Sequence, residues 1–229
     1  MLEVNKIDNA HCLELMKELP DKCIDLVLTD PPYGIKMAKN TNLCLKVNNR
    51  GINKKGFSNT ILHNKKEWDN QRPDEIYFNE IQRISKNQII FGGNYFADML
   101  PPSRGWIFWD KKEHSTQGQN FADGELAWTS FDKNLKKYLY GWIGLDYVNN
   151  SKNDKKQHPT QKPLKLFEMI LNDYSEKGQI ILDCFSGSGT TAIACHNLNR
   201  NFICIEKDYD YWKASVERLK NAQAQQKLF

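Results

Sequence analysis

The sequence predicts an α/β fold in which a mostly parallel sheet is covered by helices on both faces. Short apolar stretches with the length of buried strands alternate with longer segments whose apolar residues recur at helical spacing. Such alternation is typical of parallel strands joined by crossover helices. Of the 229 residues, 40% are hydrophobic, which is enough for a sizeable core. We therefore expect residues 1–229 to form a single domain.

The first predicted elements are a helix and a buried strand. Residues 9–19 place several apolar side chains on one helical face. Residues 24–29 are apolar throughout most of their length and predict a strand that ends at Asp30. The strand cannot continue, because Pro31 and Pro32 have no N–H to donate to a sheet. The Asp30 carboxylate is therefore expected at the carboxyl edge of the sheet.

The remaining elements continue the alternation. Pro163 suits the first turn of a helix, and Asp208 can cap one. Helices are predicted over residues 73–85, from Pro163 onward, for about ten residues after Gly189, and from Asp208 onward. Strands are predicted at residues 88–91, 106–109, 126–129, 138–142, 180–182 and 202–205.

A basic segment separates the first strand from the second helix. Residues 34–70 are rich in Asn and Lys and lack periodicity, which predicts a mobile surface loop. Between Gly34 and Lys66 there are eight basic residues and no acidic one. Such a loop can order on a polyanion by contacting its phosphates. The residues assigned to this contact are Lys36, Lys39, Arg50, Lys54, Lys55, Lys65 and Lys66.

A glycine-rich turn follows one predicted strand and opens a helix. It runs from Asp183 to Thr191, and Gly187 and Gly189 let the backbone approach a ligand beside the helix N-terminus. Glu206 ends the next strand, seventeen residues after Gly189, where a carboxylate can accept hydrogen bonds from both hydroxyls of a ribose. These residues alone leave open a methyl-donor site, a dinucleotide site of the G-x-G-x-x-A type and a purely structural turn.

The Asp30-Pro31-Pro32-Tyr33 segment favours the methyl donor. The exocyclic amine of a nucleobase is a poor nucleophile because its lone pair is delocalised into the ring. A carboxylate and a backbone carbonyl that accept its two N–H bonds would free that lone pair for attack. Tyr33 offers a flat face on which a base that has left the duplex can stack. A dehydrogenase has no use for this group.

Three motifs in this order resemble the beta group of the DNA amino-methyltransferases. Asp30–Tyr33 matches the catalytic motif of that family, Asp183–Gly189 its cofactor motif, and His158–Pro163 the segment that precedes the cofactor motif. Further segments resemble small bacteriophage and prophage members: Phe91–Tyr95, Trp106–Asp110 and Glu125–Ser130. The resemblance implies a Rossmann-like, S-adenosylmethionine-dependent methyltransferase fold over nearly the whole chain.

The resemblance also implies a reaction and a set of site residues. The reaction is transfer of a methyl group from S-adenosylmethionine to N6 of an adenine flipped out of double-stranded DNA. The residues implied at the reacting amine and its base are Asp30, Pro31, Pro32 and Tyr33. The cofactor-binding residues implied are Asp183, Phe185, Ser186, Gly187, Gly189, Thr190 and Glu206, with Lys162 near the cofactor carboxylate. Many relatives have Asp where this chain has His11, so no cofactor contact is expected there.

Two alternatives to adenine methylation remain. Methylation of cytosine at N4 would use the same fold, although that reaction more often has Ser at the position of Asp30. A DNA-binding module with a degenerate cofactor site is the non-enzymatic alternative. Methylation at C5 of cytosine is disfavoured, because its cysteine nucleophile would follow a proline and no Pro-Cys pair occurs.

The sequence leaves several possibilities open for recognition of the DNA sequence and for protein partners. The region expected to read the DNA sequence, residues 131–157, is short, so either part of the readout falls to the basic loop or the specificity is loose. A homodimer and a cognate restriction nuclease are both compatible with the sequence. No stretch of about 18 apolar residues and no apolar signal core occurs, so a cytoplasmic protein without a membrane partner is expected. The six cysteines contain no C-x-x-C pair, so no metal site is expected.

Overall fold

The computed structural model describes residues 3–35, 69–111, 122–141 and 161–226. In these ranges the strands are β1 (Lys6–Asn9), β2 (Ile24–Thr29), β3 (Ser85–Phe91), β4 (Trp106–Asp110), β5 (Gly124–Thr129), β6 (Lys136–Leu139), β7 (Ile180–Asp183) and β8 (Asn201–Glu206). The α-helices are α1 (Cys12–Lys17), α2 (Glu75–Ile84), α3 (Leu164–Tyr174), α4 (Thr190–Asn197) and α5 (Tyr209–Gln226). A short 3-10 helix covers Gly93–Tyr95.

The backbone divides into two compact units. The larger unit comprises residues 1–31 and 74–229 and contains all the strands and helices of the described ranges. The smaller unit comprises residues 32–73, of which 32–35 and 69–73 are described. Within it, the backbone N–H of Gly34 donates a hydrogen bond of 2.9 Å to Oδ1 of Asp69. Gly34 has a φ of +75°, a conformation that glycine adopts without steric cost.

The eight strands of the described residues form a single sheet with the order β1-β8-β7-β2-β3-β5-β4-β6. Only β5 runs antiparallel to its neighbours, β3 and β4, and every other pairing is parallel. Consecutive residues of β2, β3, β7 and β8 are buried, as is required of strands covered on both faces. The predicted mostly parallel α/β sheet is confirmed, and β2 and β7 lie side by side at its centre.

Most of the predicted elements are present with shifted ends. Strand β2 has the predicted bounds. Strand β3 begins at Ser85, directly after α2, rather than at residue 88. Its first three residues were not predicted as strand, because they are polar and show no strand pattern. Strand β6 ends at Leu139 rather than at residue 142, and residue 142 lies outside the described ranges. The first helix begins at Cys12 rather than at residue 9, because residues 6–9 form β1. This short strand was missed, since Ile7 is its only buried residue and it depends on pairing with β8.

Aromatic residues fill much of the core between the sheet and the helices. Phe91 of β3 stacks on Phe167 of α3, with ring centroids 5.5 Å apart and an interplanar angle of 11°. Trp109 and Trp128 are buried, as expected of strand residues. Their indole N–H groups donate to the backbone carbonyls of Tyr140 and Pro101, so burial leaves neither donor unsatisfied.

The cysteines of the described ranges are free thiols. Cys12, Cys184, Cys195 and Cys204 are buried, and burial raises the pKa of each thiol, that of Cys12 to about 12. These thiols therefore pack as small apolar side chains. Within the same ranges no group of three or more His, Cys, Asp and Glu side chains is arranged to hold a metal ion. None of the described helices is both long enough and apolar enough to cross a membrane.

Candidate active site

The pairing of β2 with β7 brings the two predicted motifs to one edge of the sheet. The strands run parallel, with Val27 opposite Leu182, so both end at the same edge. Thr29, the last residue of β2, donates a hydrogen bond of 2.8 Å from Oγ1 to Oδ1 of Asp183 at the end of β7. Asp30 therefore follows β2 immediately beside the start of the glycine turn. Ligands of open α/β sheets bind at this edge.

The backbone of the glycine turn is left-handed at both of its glycines. Gly187 has a φ of 50° and Gly189 a φ of 73°, and both values are strained for residues with a Cβ atom. The turn is fixed by hydrogen bonds from the N–H of Ser186 to the carbonyl of Ile205 and from the N–H of Gly189 to the carbonyl of Ser186. A Cβ atom on Gly189 would lie 3.0 Å from Cβ of Ser215 in α5. Glycine is therefore required here by both conformation and packing.

Arg218 supports the turn from outside, and the sequence analysis missed it. Its Nη1 donates hydrogen bonds to the carbonyl of Ser188 (2.9 Å) and to Oγ1 of Thr190 (3.0 Å). The side chain is buried although it carries a charge. Its spacing from Tyr211 and Ser215, which are also buried, follows the inward face of a helix. An arginine on the apolar, inward face of a predicted helix was the sequence signal that could have revealed this contact with the glycine turn.

Asp183 is buried at the base of the turn and both carboxylate oxygens are engaged by protein groups. Oδ1 accepts from Thr29 and from the N–H of Phe185 (3.2 Å), and Oδ2 accepts from Oγ1 of Thr191 (2.5 Å). Burial raises the pKa of Asp183 to about 6, although these hydrogen bonds oppose the shift. Asp183 thus ties β2, β7 and α4 together, and its contact with a cofactor remains a prediction.

Glu206 ends β8 and lies against the same turn. Its Oε2 accepts a hydrogen bond of 2.8 Å from the N–H of Gly187, and its Oε1 accepts one of 2.7 Å from the N–H of Asp208. Burial raises the pKa of the carboxyl group despite these hydrogen bonds. Each oxygen has a further lone pair, so the carboxylate is oriented by the backbone and retains acceptor capacity. Binding of a ribose at Glu206 remains a prediction.

The described residues near the turn include two other sequence-predicted positions. The hydroxyl of Ser186 is buried and has no hydrogen-bond partner among the described residues. The ring of Phe185 lies 5.9 Å from the ring of Tyr77 in α2, measured between centroids. The Tyr77 hydroxyl lies 3.0 Å from Nε2 of His11. Tyr77 had no sequence signal, because it occurs on an ordinary amphipathic helix.

Lys162 precedes α3 in the sequence, and its side chain is buried. Its Nζ pairs with Oδ2 of Asp30 and lies 3.1 Å from Oε2 of Glu125 in β5. The contact with Glu125 is an ion pair without the alignment of a hydrogen bond. The Lys162 carbonyl also accepts a hydrogen bond of 3.3 Å from Oγ1 of Thr190. The structure thus brings Lys162 together with both Asp30 and the glycine turn, and the predicted contact with a cofactor carboxylate remains a prediction.

The other predicted site residues are not tested by this geometry. Pro31 belongs to the larger unit, whereas Pro32 and Tyr33 belong to the smaller one. All the basic residues assigned to phosphate contact, from Lys36 to Lys66, lie outside the described residues. The same holds for residues 142–157 of the expected recognition region and for residues 158–160.

Comparison with known proteins identifies the family. The family model for DNA methylases of the N6/N4 type matches residues 58–217, a range that contains the glycine turn, Lys162 and Glu125 and begins after the Asp30–Tyr33 segment. The chain therefore belongs to this family of DNA methylases. It is also 29% identical to the type II methyltransferase M2.MboI of Moraxella bovis, over 93% of this chain and 86% of the relative.

Solved structures show the same Rossmann-like methyltransferase fold. The crystal structure of an M1.HpyAVI–SAM complex matches with a TM-score of 0.57 and 24% identity, covering 93% of this chain and 98% of the other. The PvuII DNA methyltransferase, named as cytosine-N4-specific, matches with a TM-score of 0.58 and 17% identity, covering 95% and 89%. At these identities the likeness concerns the fold alone.

The raised pKa of Asp183 predicts how its replacement changes the pH dependence of stability. The folded state holds the Asp183 proton more tightly than the unfolded state, so the carboxyl group contributes stability at low pH that is lost as the pH rises through about 6. Asp183→Asn removes this loss. Between pH 4 and pH 7, the free energy of unfolding of the variant should rise relative to the wild type by about 2–3 kcal/mol. Urea unfolding at both pH values measures the difference.

Asp173→Asn is the matched control, because the pKa of Asp173 is shifted in the opposite direction from that of Asp183. Burial would raise the pKa of Asp173, but hydrogen bonds from Lys136 and Tyr138 outweigh it and lower the pKa. The stability that Asp173 contributes is gained mainly below pH 4, as the pH rises through the folded pKa toward 3.8, so from pH 4 to pH 7 the control should show only a small relative loss of stability. If the difference in the free energy of unfolding between Asp183→Asn and the wild type did not change with pH, the raised pKa of the buried Asp183 carboxyl group would be contradicted.

Proposed function

We propose that this DNA methylase transfers a methyl group from S-adenosylmethionine to N6 of an adenine flipped out of double-stranded DNA. The observation that carries the proposal is the adjacency of Asp30 and the glycine turn at the ends of two paired central strands. An acceptor for amine N–H groups and a turn suited to a nucleoside ligand thereby share one edge of the sheet. Neither group alone would distinguish a methyltransferase from a dinucleotide-binding enzyme.

The residues of the turn fit S-adenosylmethionine. The left-handed glycines leave the backbone open for close approach, and the buried Ser186 hydroxyl has an unused hydrogen-bonding capacity among the described residues. Phe185, Gly187 and Gly189 line the methionine end of the cofactor, and the oriented Glu206 carboxylate accepts hydrogen bonds from its ribose. Asp183 and Thr190 hold the shape of the turn.

The protein activates the amine rather than the methyl donor. When bound, S-adenosylmethionine supplies an electrophilic methyl group. Asp30 and the carbonyl of Pro31 accept the two N–H bonds of the adenine amine, which directs the nitrogen lone pair at the methyl carbon. The sulfonium of S-adenosylmethionine would give up the methyl group and keep the S–C bonding pair, and the proton that the methylated nitrogen must lose would leave along its hydrogen bond to the Asp30 carboxylate. Tyr33 stacks on the extruded base and compensates for its lost stacking in the duplex.

Adenine is favoured over cytosine by the residue that receives the amine. Both bases present a conjugated exocyclic amine, and both must leave the helix to reach a buried methyl donor. The chemistry therefore permits either base. Asp30, in a position where N4-cytosine enzymes more often have Ser, favours adenine. The phage-like segments Phe91–Tyr95 and Glu125–Ser130 support the same choice.

The methylated base can be identified directly. The protein is incubated with duplex DNA and isotopically labelled S-adenosylmethionine, and the DNA is digested to nucleosides for mass spectrometry. We expect N6-methyladenine as the main labelled product, because Asp30 is the group that receives the amine. N4-methylcytosine as the main product would refute the choice of base and leave the family and the fold unaffected. A digest without any labelled nucleoside would instead favour a DNA-binding module.

Asp30→Ala should abolish methyl transfer while leaving the affinity for S-adenosylmethionine within about threefold. The carboxylate is proposed to contact the amine and not the cofactor, and loss of a group that acts on the reacting atoms costs a factor of about 10²–10⁴ or more in rate. Single-turnover kinetics and calorimetric titration measure the two quantities. Asp25→Asn, at the other end of β2, is the control and should retain the wild-type rate. A substantial residual rate in Asp30→Ala would exclude the proposed role.

The lysines of the basic segment are proposed to bind the phosphates of DNA, contacts that carry no sequence information by themselves. Replacing Lys54, Lys55, Lys65 and Lys66 by Gln should weaken binding about equally on all duplexes, and should flatten the plot of log affinity against log salt by about 0.9 for each lost phosphate contact. Fluorescence anisotropy at several salt concentrations measures the slope. As a control, the same number of exposed lysines elsewhere is replaced: Lys17, Lys177, Lys213 and Lys220. Equal slopes for the two quadruple variants would argue against a specific role of the segment.

A further inference from the structure

Four charged side chains of alternating sign contact one another in a row, and Asp30 is the last of them. The Nζ of Lys111 pairs with Oε1 of Glu125, Oε2 of Glu125 faces Nζ of Lys162 at 3.1 Å, and Nζ of Lys162 pairs with Oδ2 of Asp30. We call Lys111, Glu125, Lys162 and Asp30 the charge chain. Its side chains are between 7% and 22% exposed, so it is shielded from bulk water. The formal charges of the four groups sum to zero.

The charge chain is assembled from four separate parts of the amino-acid chain. Lys111 follows β4, Glu125 lies in β5, Asp30 follows β2, and Lys162 precedes α3. The ammonium group of Lys162 also lies 5.2 Å from the ring centroid of Phe91, a geometry that favours a cation. Burial of a lysine without a partner is costly, so the position of this side chain requires the carboxylates on both sides of it.

Both inner members of the charge chain are ionised at neutral pH. Burial alone would lower the pKa of Lys162, but the charges of Asp30 and Glu125 outweigh it and raise the pKa. Burial alone would likewise raise the pKa of Glu125, but the ammonium groups of Lys162 and Lys111 lower it to about 2. Lys162 is therefore a fixed positive charge beside Asp30.

We propose that Lys162 is a positioning residue that holds the Asp30 carboxylate ionised and oriented toward the target amine, and that Glu125 keeps Lys162 in place. This inference rests on the proposed role of Asp30 as acceptor for the amine. Only the ionised carboxylate can accept an N–H bond with either oxygen, whereas a protonated carboxyl group presents a donor on one of them. The mechanism therefore requires Asp30 to remain charged in a shielded site.

The groups around Asp30 show why a cation is needed there. Asp183 ends the neighbouring strand, and the negative charges of Asp30 and Asp183 disfavour each other. Glu125 adds a second negative charge behind Lys162, which Lys111 balances. The ammonium group of Lys162 pairs directly with Asp30 and opposes the field of Asp183 there. Replacing Lys162 by an apolar residue would remove this opposing charge from the side of Asp30.

The decisive experiment is the pH profile of single-turnover methyl transfer by Lys162→Met. An opposite charge in contact with a carboxyl group extends its ionised range downward by about 1–3 pH units. In the variant, the pH at which the rate falls to half of its plateau should therefore move upward by about one unit or more. The affinity for S-adenosylmethionine should stay within about threefold. Lys162→Arg retains the charge and should keep the half-rate pH close to that of the wild type, although its plateau rate falls.

The matched control is another lysine–aspartate pair on the same strand. Lys86 pairs with Asp25 at 2.8 Å, at the opposite end of β2 from Asp30. Lys86→Met removes an ammonium group from an aspartate without approaching the site. Its plateau rate and half-rate pH should equal those of the wild type, and thermal unfolding of all variants reports any general loss of stability.

A double-mutant cycle tests the role of Glu125. Glu125→Gln should slow transfer about tenfold in the wild-type background, because Lys162 loses its second anchor. In the Lys162→Met background the same replacement should cause no further loss, since Glu125 acts only through Lys162. Independent, additive losses would show that Glu125 acts by another route. Lys162→Gln, which keeps a polar end in the buried site, replaces Lys162→Met if the latter does not fold.

The outcomes separate this inference from the proposed function. An unchanged half-rate pH in Lys162→Met, combined with at least tenfold weaker cofactor binding, would overturn the inference and assign Lys162 to the cofactor carboxylate. An unchanged profile with unchanged cofactor affinity would also overturn it. In both cases an inactive Asp30→Ala would leave the proposed role of Asp30 intact, whereas an active Asp30→Ala would remove the premise itself.

Discussion

The hydrogen bond from Thr29 to Asp183 is the contact on which the geometry of the site depends. It joins the last residue of β2 to the last residue of β7, and therefore fixes where the segment containing Asp30 leaves the sheet relative to the glycine turn. Asp183 accepts two further hydrogen bonds from the turn and from α4. A single buried carboxyl group thus sets the relation between the strand that leads to Asp30, the proposed amine acceptor, and the turn proposed to receive the cofactor. Its burial is unfavourable for the ionised form, which is why its pKa is raised.

The same edge of the sheet creates an electrostatic problem. Asp30, Asp183 and Glu206 all occur at the carboxyl ends of parallel strands, and burial raises the pKa of the last two. In the proposed role of amine acceptor, Asp30 acts only in its ionised form, so it needs an electrostatic compensation that the other two carboxyl groups do not. The ion pair with Lys162 supplies that compensation at Asp30 alone. Neighbouring carboxyl groups are thereby given different protonation behaviour by different surroundings.

The local parts of the site were predictable from the sequence, and the long-range parts were not. The strand before Asp30 and the turn from Asp183 to Thr191 are defined by contiguous apolar runs, prolines and glycines, so their patterns are visible in the sequence. The contacts of Lys162 with Asp30 and of Arg218 with the turn join residues far apart in the chain. Each depends on the strand order, which no short pattern specifies. Strand β1 escaped detection for the same reason, since its pairing with β8 and not its composition makes it a strand.

Residues from near both ends of the described chain converge on the cofactor turn and give it its rigidity. Strand β1 pairs with β8, and the side-chain amide of Asn9 donates to the carbonyl of Glu206 at 2.9 Å. From α5, the indole N–H of Trp212 donates to the carbonyl of Ile7 at 2.8 Å, and Arg218 donates to the turn itself. A glycine-rich turn has a high conformational entropy when unfolded and needs such external contacts to keep one shape. Because these contacts come from β1 and α5, the shape of the turn is supported by elements other than β2, the strand that leads to Asp30.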